Sequence, residues 1–218
     1  MQLNTVIFDM DGLLIDSEPL WNEAAAEIFF QYGIQLTPLQ YHTTTGLRTK
    51  EFVSHWFSHF KINAFDAEKV ENEIVNKVIA LVLQKGRPMP GINHIFNFFI
   101  ERNFKIGLAS SSPMNLINTV VDLLKIREHL HNITSASLLK YAKPHPEVYL
   151  NAANELHSLP KECICFEDSF YGMISAKAAA MKCVIVPNHI DAKNLKWNAA
   201  DLKIASLQNF NNLLLQTL

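Results

Sequence analysis

Cysteine is scarce in this chain, basic runs are missing and long apolar runs are missing too. Each shortage removes a class of explanation. Three cysteines in 218 residues cannot make a complete disulfide set. Cys163 and Cys165 share one face of an apolar strand, where a buried thiol is the ordinary reading and a metal ligand the unusual one. The net charge is −2 with no cluster of lysine and arginine, which leaves nothing to attract nucleic acid. No stretch approaches the about 18 consecutive apolar residues of a membrane span. The first strand begins almost at Met1, leaving no room for a basic and then apolar leader, so a cytoplasmic location is expected. Repeats and low-complexity tracts are absent as well. What is present is an ordinary globular composition, 49% hydrophobic and 18% charged, in a chain long enough for a core with a smaller companion unit.

The stretch Val6 to Glu18 organises the rest. Val6, Ile7 and Phe8 suit a short buried strand. Asp9 then ends the apolar run, Asp11 follows, and Gly12 permits a sharp turn. Residues two apart on an extended chain face the same way, about 6–7 Å apart, so the two carboxylates can serve one site. At roughly 4 Å such a pair repels by about 4 kcal/mol at an effective dielectric of 20. A divalent cation or a shared proton relieves that cost, and Mg²⁺ suits hard oxygen ligands and a substrate phosphate. The competing reading is a strand followed by an Asx turn.

Residues 17–87 read as all helix. A helix runs from Pro19 to the stop at Gly33, capped by Asp16 or Ser17, with Leu20, Ala24, Ile28 and Phe29 as its stripe. Thr37-Pro38 opens a second, Val53 to Phe60 lie on a third, and Asp66 caps a fourth reaching about Leu83. Beyond Pro90 the period alternates. Strands are expected at Phe104–Ala109, around Ile133, at Cys163–Phe166 and at Val184–Val186. The helices between them are expected at Ile92–Arg102, Asn115–Leu124, Glu147–Leu156 and Gly172–Met181. Alternation implies an α/β fold with a Rossmann-like parallel sheet and right-handed crossovers. The first strand needs the later ones to make that sheet. Residues 1–16 and 88–218 are therefore read as the core and residues 17–87 as an inserted all-helical cap.

Three more strand ends carry polar groups. Ser110-Ser111-Ser112 follows the second strand just before a helix, where hydroxyls and backbone N–H groups can cradle a phosphate or simply cap the helix. Lys143 precedes Pro144-His145-Pro146, and Glu167-Asp168 ends the strand from Cys163.

Taken together, a carboxylate pair, serine, lysine and acidic pair at successive strand ends resemble the haloacid dehalogenase (HAD) superfamily over the whole chain. Asp9-Met-Asp11-Gly12, Ser110, Lys143 and Glu167-Asp168 match its four motifs in order. The insert resembles its small helical, C1-type cap. The strings Leu-Ala-Ser-Ser-Ser-Pro, Tyr-Ala-Lys-Pro-His-Pro-Glu-Val-Tyr and Phe-Glu-Asp-Ser-Phe-Tyr-Gly-Met further resemble 2-deoxyglucose-6-phosphate and hexitol (sugar phosphate) phosphatases. The resemblance implies a Mg²⁺-dependent hydrolase of small phosphate monoesters. Asp9 would be the nucleophile and Asp11 the acid and base, with phosphate held by Ser110, Ser111 and Lys143. The metal would be held by Asp9, the Asp11 carbonyl and Asp168, with Glu167 near. Trp21, Arg48 and Lys50 are the candidate substrate contacts from the cap. The implied partner is a small phosphate ester, with neither nucleic acid nor membrane, and a monomer is expected.

Departures from neighbouring families narrow the choice. Dehalogenases lack the second aspartate, which is present here as Asp11. Sugar phosphomutases, the alternative reading, carry a histidine where Trp21 stands and Lys-Asn where Pro113-Met114 stands. Phosphonoacetaldehyde hydrolases need a lysine in the first cap helix, and Pro19 to Tyr32 contains none.

Overall fold

The structure, a computed structural model, describes residues 2–218. Six parallel strands form the sheet: β1 (Thr5–Phe8), β2 (Lys105–Ser110), β3 (Asn132–Ser135), β4 (Cys163–Glu167), β5 (Lys182–Ile185) and β6 (Leu202–Lys203). Their spatial order is β3-β2-β1-β4-β5-β6, and β1 lies between β2 and β4 with Phe8 level with Leu108 and Phe166. A doubly wound sheet of this order leaves a crevice at the carboxyl ends of its central strands, where the winding reverses. Asp9 follows β1 directly and Glu167 closes β4, so both acids stand at that crevice.

Strand alternation sorts the core into two layers. Val6 and Phe8 face one side, where Phe8 packs on Phe96 and Phe166 at 5.1 and 5.2 Å between ring centroids. Ile7 faces the other side with Ala109, Tyr149 and Cys165. All four of these residues are fully buried. Each large apolar side chain so buried contributes roughly 1.5–3 kcal/mol, so a charge at Ile7 or Phe8 would break the sheet at its centre. All three cysteines are free and buried, and burial pushes the Cys163 thiol up to about 12.

Five helices lie between β1 and β2, and the first four come from the expected insert: α1 (Glu18–Phe30), α2 (Pro38–Thr43), α3 (Thr49–His59) and α4 (Ala67–Lys85). Thr37 caps α2 in a reciprocal box with Gln40, and Asp66 caps α4 by accepting from the Lys69 N–H at 3.0 Å. The 3.6-residue stripe Val70, Ile74, Val78 and Leu81 is buried along α4. Ser17 sits at the N-cap of α1 but makes no side-chain cap bond, because its hydroxyl is turned to Asp11. An antiparallel bridge between Ile15 and Pro88 ties the two ends of the insert together.

The later helices are α5 (Ile92–Ile100), α6 (Met114–Leu123), α7 (Glu147–Glu155), α8 (Phe170–Ala178) and α9 (Asn212–Gln216). Expected boundaries shift by one to three residues, as capping residues and not periodicity set the ends. α8 starts at Phe170 because the Ser169 hydroxyl accepts from the Gly172 N–H at 3.0 Å. The sequence reading stops at Val186 and does not anticipate β6. Two residues are too few to carry a period.

Candidate active site

Lys143 is the centre of the site. Its ammonium, with the residue only 2% exposed, donates to Asp9 Oδ1 at 2.6 Å and to Glu167 Oε1 at 2.7 Å. It also donates to the Ala109 carbonyl at 3.2 Å. The Tyr149 hydroxyl donates to the same Glu167 oxygen. Glu167 Oε2 accepts from the Ser169 hydroxyl at 3.2 Å. Both oxygens of Glu167 are therefore engaged, and its carboxylate positions Lys143. Gly172 makes room for this arrangement, since a Cβ there would lie 1.9 Å from Glu167 Oε1.

Asp9, Glu167 and Asp168 each place a carboxylate oxygen within 4.8 Å of the others. One ammonium among two buried acids and a half-buried one leaves negative charge uncompensated. Burial pushes the Asp9 carboxyl up to about 8, with Glu167 and Asp11 adding to the rise and Lys143 opposing it. Burial raises Asp168 well above the usual carboxylate range, and Asp9 and Glu167 raise it further. Burial alone would depress the Lys143 ammonium, but the facing carboxylates of Asp9 and Glu167 hold it above its ordinary value. Hard oxygen donors with excess negative charge fit a divalent cation. Asp9 and Asp168 have the capacity to ligate it. Gly12 brings the β1 loop against Asp168: its φ is +77°, and a Cβ there would sit 2.1 Å from Asp168 Oδ2.

The Asp11 side chain stands outside that acidic group. Oδ1 accepts from the Ser17 hydroxyl at 2.7 Å and the Trp21 indole N–H at 2.9 Å. Oδ2 accepts from the Ser112 hydroxyl at 2.7 Å and that of Ser110 at 3.4 Å. As a metal ligand, Asp11 would therefore act only through its backbone carbonyl. The Ser111 hydroxyl donates to the Gly46 carbonyl at 3.0 Å, joining the core to the helical insert.

A cavity of about 460 Å³ opens beside these groups, walled by the core acids and serines on one side and by the insert on the other. Trp21 lines it, but Arg48 and Lys50 do not. Arg48 instead donates to the carbonyls of Ala136 and Leu139 at 2.9 and 2.7 Å and pairs with Glu51, while Lys50 is exposed on α3. The expectation that both cations meet the substrate is thus corrected. Side-chain direction on a helix is set by packing, which the residue type does not disclose. Sequence reasoning gave no site role to Glu18, Tyr149 or Asn188, took Ser17 only as a helix cap, and named Ser112 only within the serine run after β2. Ser17, Glu18, Ser112 and Tyr149 all lie inside the quoted motif strings.

With this geometry in view, comparison with known proteins places the chain. Residues 6–186 match the family described as haloacid dehalogenase-like hydrolase. Hexitol phosphatase B of Escherichia coli is 35% identical over 207 residues, covering 94% of this chain and 93% of that protein. The phosphorylated carbohydrates phosphatase of Thermotoga maritima is 28% identical, covering 83% of each. Among solved structures, CbbY from Rhodobacter sphaeroides superposes with a TM-score of 0.89 at 21% identity over 100% of both chains, a likeness of fold. A β-phosphoglucomutase from Clostridium difficile superposes at 0.87 with 25% identity, covering 99% of this chain and 96% of that one. The chain belongs to the haloacid dehalogenase-like hydrolase family. It is an enzyme of the phosphoric monoester hydrolase type. Among the described residues no helix is long and apolar enough to cross a membrane.

Proposed function

We propose that this enzyme is a Mg²⁺-dependent phosphatase of sugar or hexitol phosphates that works through an aspartyl-phosphate on Asp9. The observation that carries the reading is the Lys143 ammonium held between Asp9 and Glu167 at the floor of the cavity, with Asp11 beside it. Asp9 Oδ attacks phosphorus, the P–O bond to the sugar breaks, and the leaving alkoxide takes a proton from Asp11. Water then attacks the acyl phosphate as Asp11 accepts its proton, releasing phosphate and restoring Asp9. Asp11 is suited to both directions because Ser17, Ser110 and Ser112 present hydroxyls, which donate to a carboxylate and accept from a carboxyl. Lys143 neutralises phosphoryl charge as it builds, which is the larger part of catalysis in phosphoryl transfer. Mg²⁺ held by Asp9, the Asp11 carbonyl and Asp168 would supply further neutralisation of the phosphoryl oxygens. The helical insert excludes bulk water from this chemistry.

Trp21 argues against the mutase reading. Its indole N–H is spent on Asp11, and an indole, unlike a histidine, cannot relay a proton. A phosphate-release screen over phosphorylated sugars, polyols and nucleotides with Mg²⁺ tests the function. Sugar and hexitol monophosphates should lead the ranking. EDTA should silence the enzyme, and Mg²⁺ should restore it. Asp9→Asn should leave a folded protein without turnover, since an amide is a poor nucleophile. Phosphate release by that variant above about 1% of wild type would remove Asp9 from its assigned role.

A further inference from the structure

The cavity that receives the leaving group is cation-poor. Among the described residues that line it, only Lys143 is a lysine or arginine, and its ammonium is committed to Asp9 and Glu167 on the phosphoryl side. Two nearby cations are directed elsewhere, Arg48 at the N-cap of α3 to core carbonyls and Lys50 on α3 to solvent. His42 lines the wall but faces the Asp191 carboxylate at 3.4 Å. Into the same space projects a carboxylate that the mechanism does not use. Glu18, the first residue of α1, accepts from the Thr45 hydroxyl at 3.3 Å with Oε1 and from the Asn188 amide at 3.2 Å with Oε2. One tether comes from the insert and the other from the loop after β5, so the anion is held at the seam between the two halves. Asn22, one turn further along α1, adds an amide that donates and accepts.

We propose that this half of the cavity selects an uncharged, hydroxyl-bearing leaving group and excludes a second anionic group, and that Glu18 is the specificity-determining residue. The inference rests on the phosphatase reading above. A carboxylate fixed by two donors still has lone pairs for a substrate hydroxyl, because each oxygen can accept more than one bond. A second phosphate or a carboxylate on the leaving group would meet Glu18 with no free lysine or arginine among the described lining residues to offset it, the Lys143 ammonium and the Mg²⁺ of the proposed mechanism being committed to the phosphoryl end. Like-charge juxtaposition in a confined site is a strong means of rejecting a wrong ligand. The exclusion thus comes from what faces the ligand, and the cavity's size has no part in it.

The test is a kcat/KM panel with Mg²⁺ on wild type, Glu18→Gln and Glu18→Asp. One pair of substrates is a hexitol monophosphate and a hexose bisphosphate. The other is glycol phosphate and phosphoglycolate, which differ only in a terminal hydroxymethyl against a carboxylate. Wild type should prefer the uncharged member of each pair by roughly 10- to 100-fold, the size expected of an unscreened like-charge contact. Glu18→Gln should narrow both preferences at least about fivefold, mainly through KM, and Glu18→Asp should keep them because it keeps the charge. A purely structural Glu18, acting only as a clasp for Thr45 and Asn188, would scale every substrate alike and overturn the assignment. The wild-type pair decides even if Glu18→Gln fails to fold: equal turnover of glycol phosphate and phosphoglycolate overturns the inference. A wild type silent toward every ester overturns the phosphatase reading and this inference with it. An active wild type without the preference overturns this inference alone.

Discussion

Replacing Lys143 by methionine removes the only cation from a buried cluster of acids while keeping its volume. Lys143 is 2% exposed and Glu167 fully buried, so water cannot take over the lost contacts. Breaking a buried ion pair by deleting one partner costs about 3–5 kcal/mol, because a charge is left without compensation. In a domain of this size each kcal/mol moves the melting temperature by about 2–4 °C, so Lys143→Met should melt roughly 6–20 °C below wild type at pH 7 in EDTA. The cause can be isolated. Glu167→Gln alone should also destabilise, since it leaves the Lys143 ammonium with a single partner. The double variant should recover a large share of the summed loss, because positions 143 and 167 are then both neutral and Asp9, raised to about 8, holds its proton at pH 7. The assay is a thermal or urea melt of the four proteins. Additive losses in the double variant, or a Lys143→Met melting point within about 2 °C of wild type, would refute the argument that charge compensation holds this cluster together. Activity gives an independent readout. Lys143 faces the phosphoryl end that all esters share, so Lys143→Met should depress every substrate by a similar large factor and preserve their ranking.

Three further outcomes are expected. In EDTA, stability should fall as pH rises from about 4 toward 8, because an acid raised from its ordinary 3.8 to about 8 holds its proton in the folded state and loses it in the unfolded one. Mg²⁺ should stabilise most at the alkaline end of that window, and a pH-independent melt in EDTA would contradict the burial of Asp9. Gly12→Ala should cost about 1–2 kcal/mol for its left-handed backbone and weaken Mg²⁺ affinity besides, since the new Cβ displaces Asp168. An unchanged Mg²⁺ titration would show that Asp168 is not a ligand. Finally, β-glucose 1-phosphate with a trace of the 1,6-bisphosphate should yield inorganic phosphate and little glucose 6-phosphate. Rapid NADPH formation in a coupled glucose-6-phosphate dehydrogenase assay would restore the mutase reading.

Much of the architecture was legible in the residues alone. Val6–Phe8, Cys163–Phe166 and the helical stripe of α4 carry their period locally, and a βα alternation admits few sheets. Three polar strand ends were legible for the same reason. Carboxylates and a serine at the tips of the runs that become β1, β2 and β4 have no use in a core, and the order of the runs brings those tips to one edge, whereas Lys143 lies beyond β3 in the loop before α7. The tertiary structure decided what those side chains touch. Asn188 reaches Glu18 across 170 positions, and Ser112 reaches Asp11 across 101, so no local pattern announces either bond. Arg48 and Trp21 show the same limit from opposite sides. Both were singled out as cap residues facing substrate, yet Arg48 is drawn off by the carbonyls of Ala136 and Leu139, while Trp21 is brought to Asp11. A residue's type states which bonds it can make. Only the packing of helix against sheet states which of its possible partners lies within 3 Å.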